Sequence, residues 1–151
     1  MSFDELVDIV RSHRPSLDKD DTALLRSAYD LAEERHAGQE RRSKCPFFVH
    51  PYEVACHLAN MPMDVPTVCS GLLHDILEDT DTSADELDGL FGEAITRIVE
   101  GVTKLTWMGR KGIQRFEERQ AENYRQMVLG MTRDVRVIIV KLADRLHNME
   151  T

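Results

Sequence analysis

At 151 residues, with 42% hydrophobic and 30% charged side chains, the chain has the balance of one globular domain, residues 1–151, long enough for a real core and too short for two comfortable ones. No apolar run approaches the length of a membrane span and no signal-peptide pattern opens the chain, so a soluble, cytoplasmic protein without a membrane partner is expected. A formal charge of -8, from 27 acids against 19 Lys plus Arg, argues against a general nucleic-acid or DNA partner and obliges any anionic ligand to find a local basic patch.

Taken in order, Ser2 can cap a first helix in which Phe3, Leu6, Ile9 and Val10 recur at helical spacing, ended near Pro15. A second helix opens at Asp20 or Asp21 and runs through Leu24, Leu25, Ala28, Leu31 and Ala32 to His36, with Gly38 as its C-cap. A basic loop follows, Gln39 to Phe48, holding Arg41, Arg42, Ser43 and Lys44. It leads to His50-Pro51, where the proline suits the first turn of a third helix through Val54, Ala55, Leu58 and Ala59. Cys45, Cys56 and Cys69 are odd in number and form no close pair, which suits reduced thiols acting as small fillers.

After Met61-Pro62, Asp64 or Val65-Pro66 starts the helix on which the chain centres. Its apolar stretch from Val68 to Leu73 is followed by His74-Asp75-Ile76-Leu77-Glu78-Asp79, four ionisable side chains in six positions. If that segment is helical, His74 and Glu78 share a face, as do Asp75, Glu78 and Asp79. Carboxylates crowded this closely repel unless they are solvated or a cation sits among them, and the imidazole beside them suggests a transition metal. Ser83 caps a short helix from Ala84 to Phe91, closed by Gly92. Ile95, Ile98, Val99 and Val102 mark the next helix, while Leu105 to Gly112, with two glycines, the basic residues Arg110 and Lys111 and Lys104 just before it, reads as a mobile loop. Arg115 to Thr132 reads as a long surface helix. Val135 to Val140 is β-branched enough for a strand, but it runs without a break into Lys141 to Asn148 and is read as one buried helix, making the class all-α.

On that last helix Asp144 and Asn148 lie one turn apart, with His147 nearby. His50, His74, Asp75 and Asp144 together supply two imidazoles and two carboxylates from three helices, a set suited to manganese, iron or zinc with positions left for water.

These four residues, in that order and on helices, resemble the metal-binding pattern of the HD phosphohydrolase superfamily. Gly38-Gln39-Glu40-Arg41-Arg42-Ser43, His50-Pro51, Leu72 to Thr80, Gly101-Val102-Thr103-Lys104-Leu105 and Lys141 to Met149 resemble more closely the hydrolase domain of the Rel/Spo family, from about His36 to the last residue. The resemblance implies an HD-type helical bundle and an enzyme, guanosine-3′,5′-bis(diphosphate) 3′-pyrophosphohydrolase, that converts guanosine tetraphosphate or pentaphosphate to GDP or GTP and pyrophosphate in the stringent response. It implies one manganese ion held by His50, His74, Asp75 and Asp144, with Glu78 and Asp79 orienting or deprotonating the attacking water. Arg41, Arg42 and Ser43 match a loop on the guanine and phosphate side of the nucleotide, Asn148 and Thr151 match its nucleoside edge, and Lys104, with Arg110 and Lys111, is a loop candidate for phosphate charge. Lys44-Cys45-Pro46-Phe47 stands where the family usually has Gly-Glu-Pro-Tyr, which alters the loop but touches no metal ligand. The family's hydrolase domain continues through further helices and usually into synthetase and regulatory domains, so a piece of a longer protein or an unusually short relative is expected. Two other readings stand beside this one: a nucleotide phosphohydrolase such as an NADPH 2′-phosphatase, and a non-catalytic regulatory HD module.

Overall fold

The structure, a computed structural model, describes residues 1–114 and 134–150; the helix expected from Arg115 to Thr132, and Thr151, lie outside these. Among the described residues the chain is all-α, with helices joined by turns and a single isolated bridge between Glu40 and Pro46.

Helix α1 spans Phe3–His13 and begins where Ser2 Oγ accepts the backbone N–H of Glu5 at 3.2 Å. It buries Leu6, Val7 and Val10. The Tyr52 hydroxyl donates to the Ser2 carbonyl at 2.8 Å and so ties this helix start to α3. Helix α2, Lys19–Arg35, starts slightly earlier than the sequence suggests, because Asp18 is the side chain that caps it, accepting from Asp21 N–H at 2.8 Å. It stops at Arg35, and Gly38 at φ +80° turns the chain into the basic loop.

Helix α3 is Val49–Asn60, with Pro51 in its first turn, and α4 is Val65–Leu73, capped by Asp64. All of α4 except Pro66 is buried, and α2, α3 and the later helices Glu93–Gln114 and Val135–Glu150 pack around it. Gly71 lets α3 come close: a Cβ there would stand 2.6 Å from Leu58 Cδ1 and 3.3 Å from the Ala55 Cα. Leu58, Leu72 and Leu73 have no exposed surface, and burial of each contributes about 1.5–3 kcal/mol.

After α5, Ile76–Asp79, come α6, Ala84–Phe91, capped by Ser83 and closed by Gly92 at φ +89°, and α7, Glu93–Gln114. The loop expected from Leu105 to Gly112 is a continuation of α7. Ile95, Ile98, Val99, Val102 and Leu105 form one buried stripe that runs up to that boundary. Helix α8, Val135–Glu150, is one helix as read, with Val137, Val140 and Ala143 buried. Asp134 accepts the Arg136 N–H at its start, and the Arg136 guanidinium bridges Asp134 at 2.7 Å and Asp64 at 3.2 Å, setting the beginning of α8 against that of α4. All three cysteines are free, Cys69 buried and Cys45 exposed. No helix among the described residues is long and apolar enough to cross a membrane.

Candidate metal centre

The central cluster is not one continuous helix. α4 ends at Leu73, His74 and Asp75 form a turn, and α5 restarts at Ile76. Adjacent residues inside a helix point about 100° apart, but this turn brings His74 Nε2 to 3.1 Å from Asp75 Oδ2. His74 therefore pairs with its neighbour, and Glu78 falls into a separate group with Asp75 and Asp79. The sharing of one face by His74 and Glu78, expected of a continuous helix, is replaced by two groups that have Asp75 in common, one with His50 and His74 and one with Glu78 and Asp79.

Four donor atoms converge. His50 Nε2, from the first turn of α3, lies 2.7 Å from Asp144 Oδ1 of α8, 3.2 Å from His74 Nε2 and 3.7 Å from Asp75 Oδ2. His74 Nε2 is 3.4 Å from the same Asp144 oxygen. His50, His74 and Asp75 form a group able to hold a metal ion, and Asp144 faces both imidazoles of it. His50, His74 and Asp144 are buried.

The chemistry of this set fits a divalent cation. His74 Nδ1 donates to the Gly71 carbonyl at 2.6 Å, so it is Nε2 that faces two carboxylate oxygens and a second imidazole nitrogen, with a lone pair free for a cation once its proton is displaced. That many acceptors around one point need a positive charge between them. The same demand appears in the proton equilibria. Burial, the largest single influence on His74, pushes its pKa down, but the charges of Asp75 and Asp144 and their hydrogen bonds outweigh it and lift it to about 10. Burial likewise works against the ionised forms of Asp75 and Asp144. Their imidazole partners prevail, with Lys141 also acting on Asp144, and hold both carboxyls below the usual carboxylate range.

The basic loop reaches the centre through Arg41, whose Nη2 donates to Asn148 Oδ1 at 2.8 Å, while Asn148 Nδ2 lies 3.3 Å from Asp144 Oδ1. Three of the sequence candidates are thus joined in one chain of contacts. Arg42 and Ser43 are exposed in the same loop, and Lys104 is exposed on α7, outside this chain of contacts. Glu78 is half-buried and Asp79 exposed, beside Asp75.

Other side chains take part without having been singled out as site residues. Lys141 Nζ donates to Asp144 Oδ2 at 2.8 Å and to Thr106 Oγ1 at 2.8 Å, leaving Oδ1 to face the imidazoles. His147 Nδ1 lies 2.7 Å from His50 Nδ1. His36 is 1% exposed, stacks on Phe47 with ring centroids 4.6 Å apart, and lies with Nδ1 3.1 Å from Gln39 Oε1. Lys141 and His147 stand three residues to either side of Asp144, a spacing that could have flagged them as its helical neighbours.

Comparison with known proteins identifies the family. The HD domain family model matches residues 28–151. The bifunctional (p)ppGpp synthase/hydrolase SpoT of Escherichia coli (strain K12) is 42% identical over 149 residues, covering 99% of this chain and 20% of the relative. A GTP pyrophosphokinase rsh of Brucella ovis is 45% identical over 150 residues, 97% of this chain and 19% of the relative, and a GTP pyrophosphokinase of Myxococcus xanthus is 44% identical over 142 residues, 94% and 18%. The chain spans about a fifth of the length of these relatives. It belongs to the HD domain family, in which its similarity is to the Rel/Spo proteins.

Proposed function

We propose that residues 1–151 form one HD-type hydrolase unit that removes the 3′-pyrophosphate of guanosine tetraphosphate or pentaphosphate, giving GDP or GTP and pyrophosphate, in a cytoplasmic stringent-response protein. The observation that carries the reading is the convergence of His50, His74, Asp75 and Asp144, from α3, the α4–α5 turn and α8, beside a second acidic group. The names of relatives support the substrate, among them guanosine-3′,5′-bis(diphosphate) 3′-pyrophosphohydrolase of Shigella flexneri, 42% identical over 149 residues. In this reading the four residues hold one manganese ion, their mixed nitrogen and oxygen donors suiting a borderline cation. When bound, such an ion supplies Lewis-acid activation of water and neutralises charge on phosphoryl oxygens.

The chain's own groups do the rest. Glu78, with Asp79 beside it, takes the proton of the attacking water as its oxygen bonds to the phosphorus on the ribose 3′ oxygen. The bond between that phosphorus and O3′ breaks, O3′ gains a proton, and pyrophosphate leaves intact. Arg41 offers a planar face to guanine and a fork to phosphate, and Asn148 fixes it in place. Arg42, Ser43 and Lys104 contribute polarity and charge at the mouth, and Asn148 and Thr151 the nucleoside edge. A synthetase domain elsewhere in the full-length protein is part of the same proposal.

Side-by-side turnover of guanosine tetraphosphate and NADPH by the manganese-loaded chain tests the substrate. Turnover of the guanosine nucleotide alone is expected. Phosphate release from NADPH alone would move the reading to a 2′-phosphatase, and binding without product from either would move it to a regulatory module.

A further inference from the structure

The acidic pair Glu78 and Asp79 sits on α5, four residues long. A one-turn helix closes almost no internal hydrogen bonds and leaves its carbonyls without helical partners, so its geometry has to be imposed from outside. Two relays from consecutive residues at the end of α2 reach the two ends of α5.

The first relay begins at His36, whose Nδ1 is 3.1 Å from Gln39 Oε1, an acceptor. Nδ1 therefore carries the hydrogen. The other end of the same amide, Gln39 Nε2, donates at 2.9 Å to the carbonyl of Asp79, the last residue of α5. His36 is itself fixed by burial and by stacking on Phe47. The second relay begins at Arg35, which donates through Nη1 to Thr82 Oγ1 at 3.2 Å and through Nη2 to Glu86 Oε1 at 2.6 Å. Thr82 is 4% exposed, and its hydroxyl lies 2.9 Å from Thr80 Oγ1. Thr80 in turn donates to the carbonyl of Ile76, the first residue of α5. Thr80 has a single hydroxyl hydrogen and spends it on Ile76, so the hydrogen between the two threonines comes from Thr82. A half-buried ion pair such as Arg35 with Glu86, still partly screened by solvent, contributes little to stability alone. Its value here is geometric, since one guanidinium holds the start of α6 and the turn after Asp79 together.

We infer that Arg35, His36 and Gln39 are positioning residues that hold the Glu78–Asp79 turn in register with the metal centre, acting on turnover and not on metal or nucleotide binding. The inference rests on the hydrolase reading for its kinetic consequence, though not for its structural one.

Gln39→Glu keeps an acceptor for His36 but sets an oxygen against the Asp79 carbonyl, and Arg35→Met removes both donors of the second relay. With guanosine tetraphosphate and manganese, each variant should lose about 10- to 100-fold in kcat, the scale of a small misplacement of reacting groups. KM and the manganese content by elemental analysis should stay within about twofold of wild type, as expected when only an interaction of the transition state is lost. Amide hydrogen exchange of residues 79–86 should quicken in both variants, with exchange in α3 and α4 unchanged. Wild-type exchange rates across 79–86, unchanged kcat, or loss of metal together with kcat would each overturn the positioning role. If the wild-type chain itself turns over no guanosine nucleotide, the hydrolase reading fails, and the exchange comparison still decides whether the relays hold α5.

Discussion

The Nδ1 atoms of His50 and His147 lie 2.7 Å apart, buried between α3 and α8, although 97 residues separate them in sequence. One hydrogen serves such a contact. With His50 Nε2 turned to the metal candidates, His50 Nδ1 is the donor and His147 Nδ1 the acceptor, so His147 is neutral. Its environment agrees, since burial first and the proximity of His50 second depress its pKa below the usual value for histidine. A ring held this way has a fixed orientation and a more basic coordinating nitrogen. His147→Ala should bind manganese about 10- to 100-fold more weakly while keeping its helical content, as isothermal titration and circular dichroism would show. Unchanged affinity would remove His147 from any part in orienting His50.

Glu78 belongs with Asp75 and Asp79 and not with the two imidazoles. Glu78→Gln preserves shape and removes the base. Metal content and nucleotide affinity should hold while kcat falls by about 10²- to 10⁴-fold. Near wild-type turnover would hand the proton to Asp79.

Arg41 ties the basic loop to α8 through Asn148. If it binds ground and transition states alike, Arg41→Ala raises KM more than it lowers kcat, and the metal stays bound. Repeating the assay at rising ionic strength separates its two possible contributions, because a phosphate contact weakens with salt and a stacking contact persists. Unchanged kinetics at low salt in the double Arg41→Ala, Arg42→Ala variant would return this loop to ordinary solvated surface.

His36 should give the fold a pH signature. Burial pushes its pKa below 6.5, with the Gln39 bond and the charge of Asp75 only partly offsetting this. The unfolded chain therefore takes up this proton at higher pH than the folded one. The stability tied to neutral His36 is complete above pH 6.5 and declines as pH falls through 6.5 toward the folded value, at no more than about 1.4 kcal/mol per pH unit. In urea unfolding, the difference in stability between wild type and His36→Gln should shift against wild type between pH 7 and pH 5. A difference independent of pH would mean that His36 titrates alike in both states.

Much of the fold was legible because local signals and burial agree. Ser2 and Ser83 cap where the sequence places them, and the apolar period of α8 prevailed over its β-branched start, with no partner strand among the described residues. At Leu105 to Gly112, glycines and basic residues suggested a loop, but the helix whose buried stripe runs from Ile95 to Leu105 continues to Gln114. The turn at His74-Asp75 carries no glycine or proline to announce it. Nothing local to His36 distinguishes it from an ordinary polar residue either, since it acquires its role only when distant segments pack, whereas Lys141 and His147 carried the one local signal of helical spacing from Asp144. The donor set itself was readable, because imidazoles and carboxylates on apolar helices need a reason to be there.

The most direct test of the account is chromatography of the products after incubation of the manganese-loaded chain with guanosine tetraphosphate. The account predicts GDP and intact pyrophosphate in equal amounts, and neither from the Asp144→Ala protein, which should also lack metal by elemental analysis. Orthophosphate in place of pyrophosphate, no product from the loaded wild type, or full metal occupancy and activity in Asp144→Ala would contradict it.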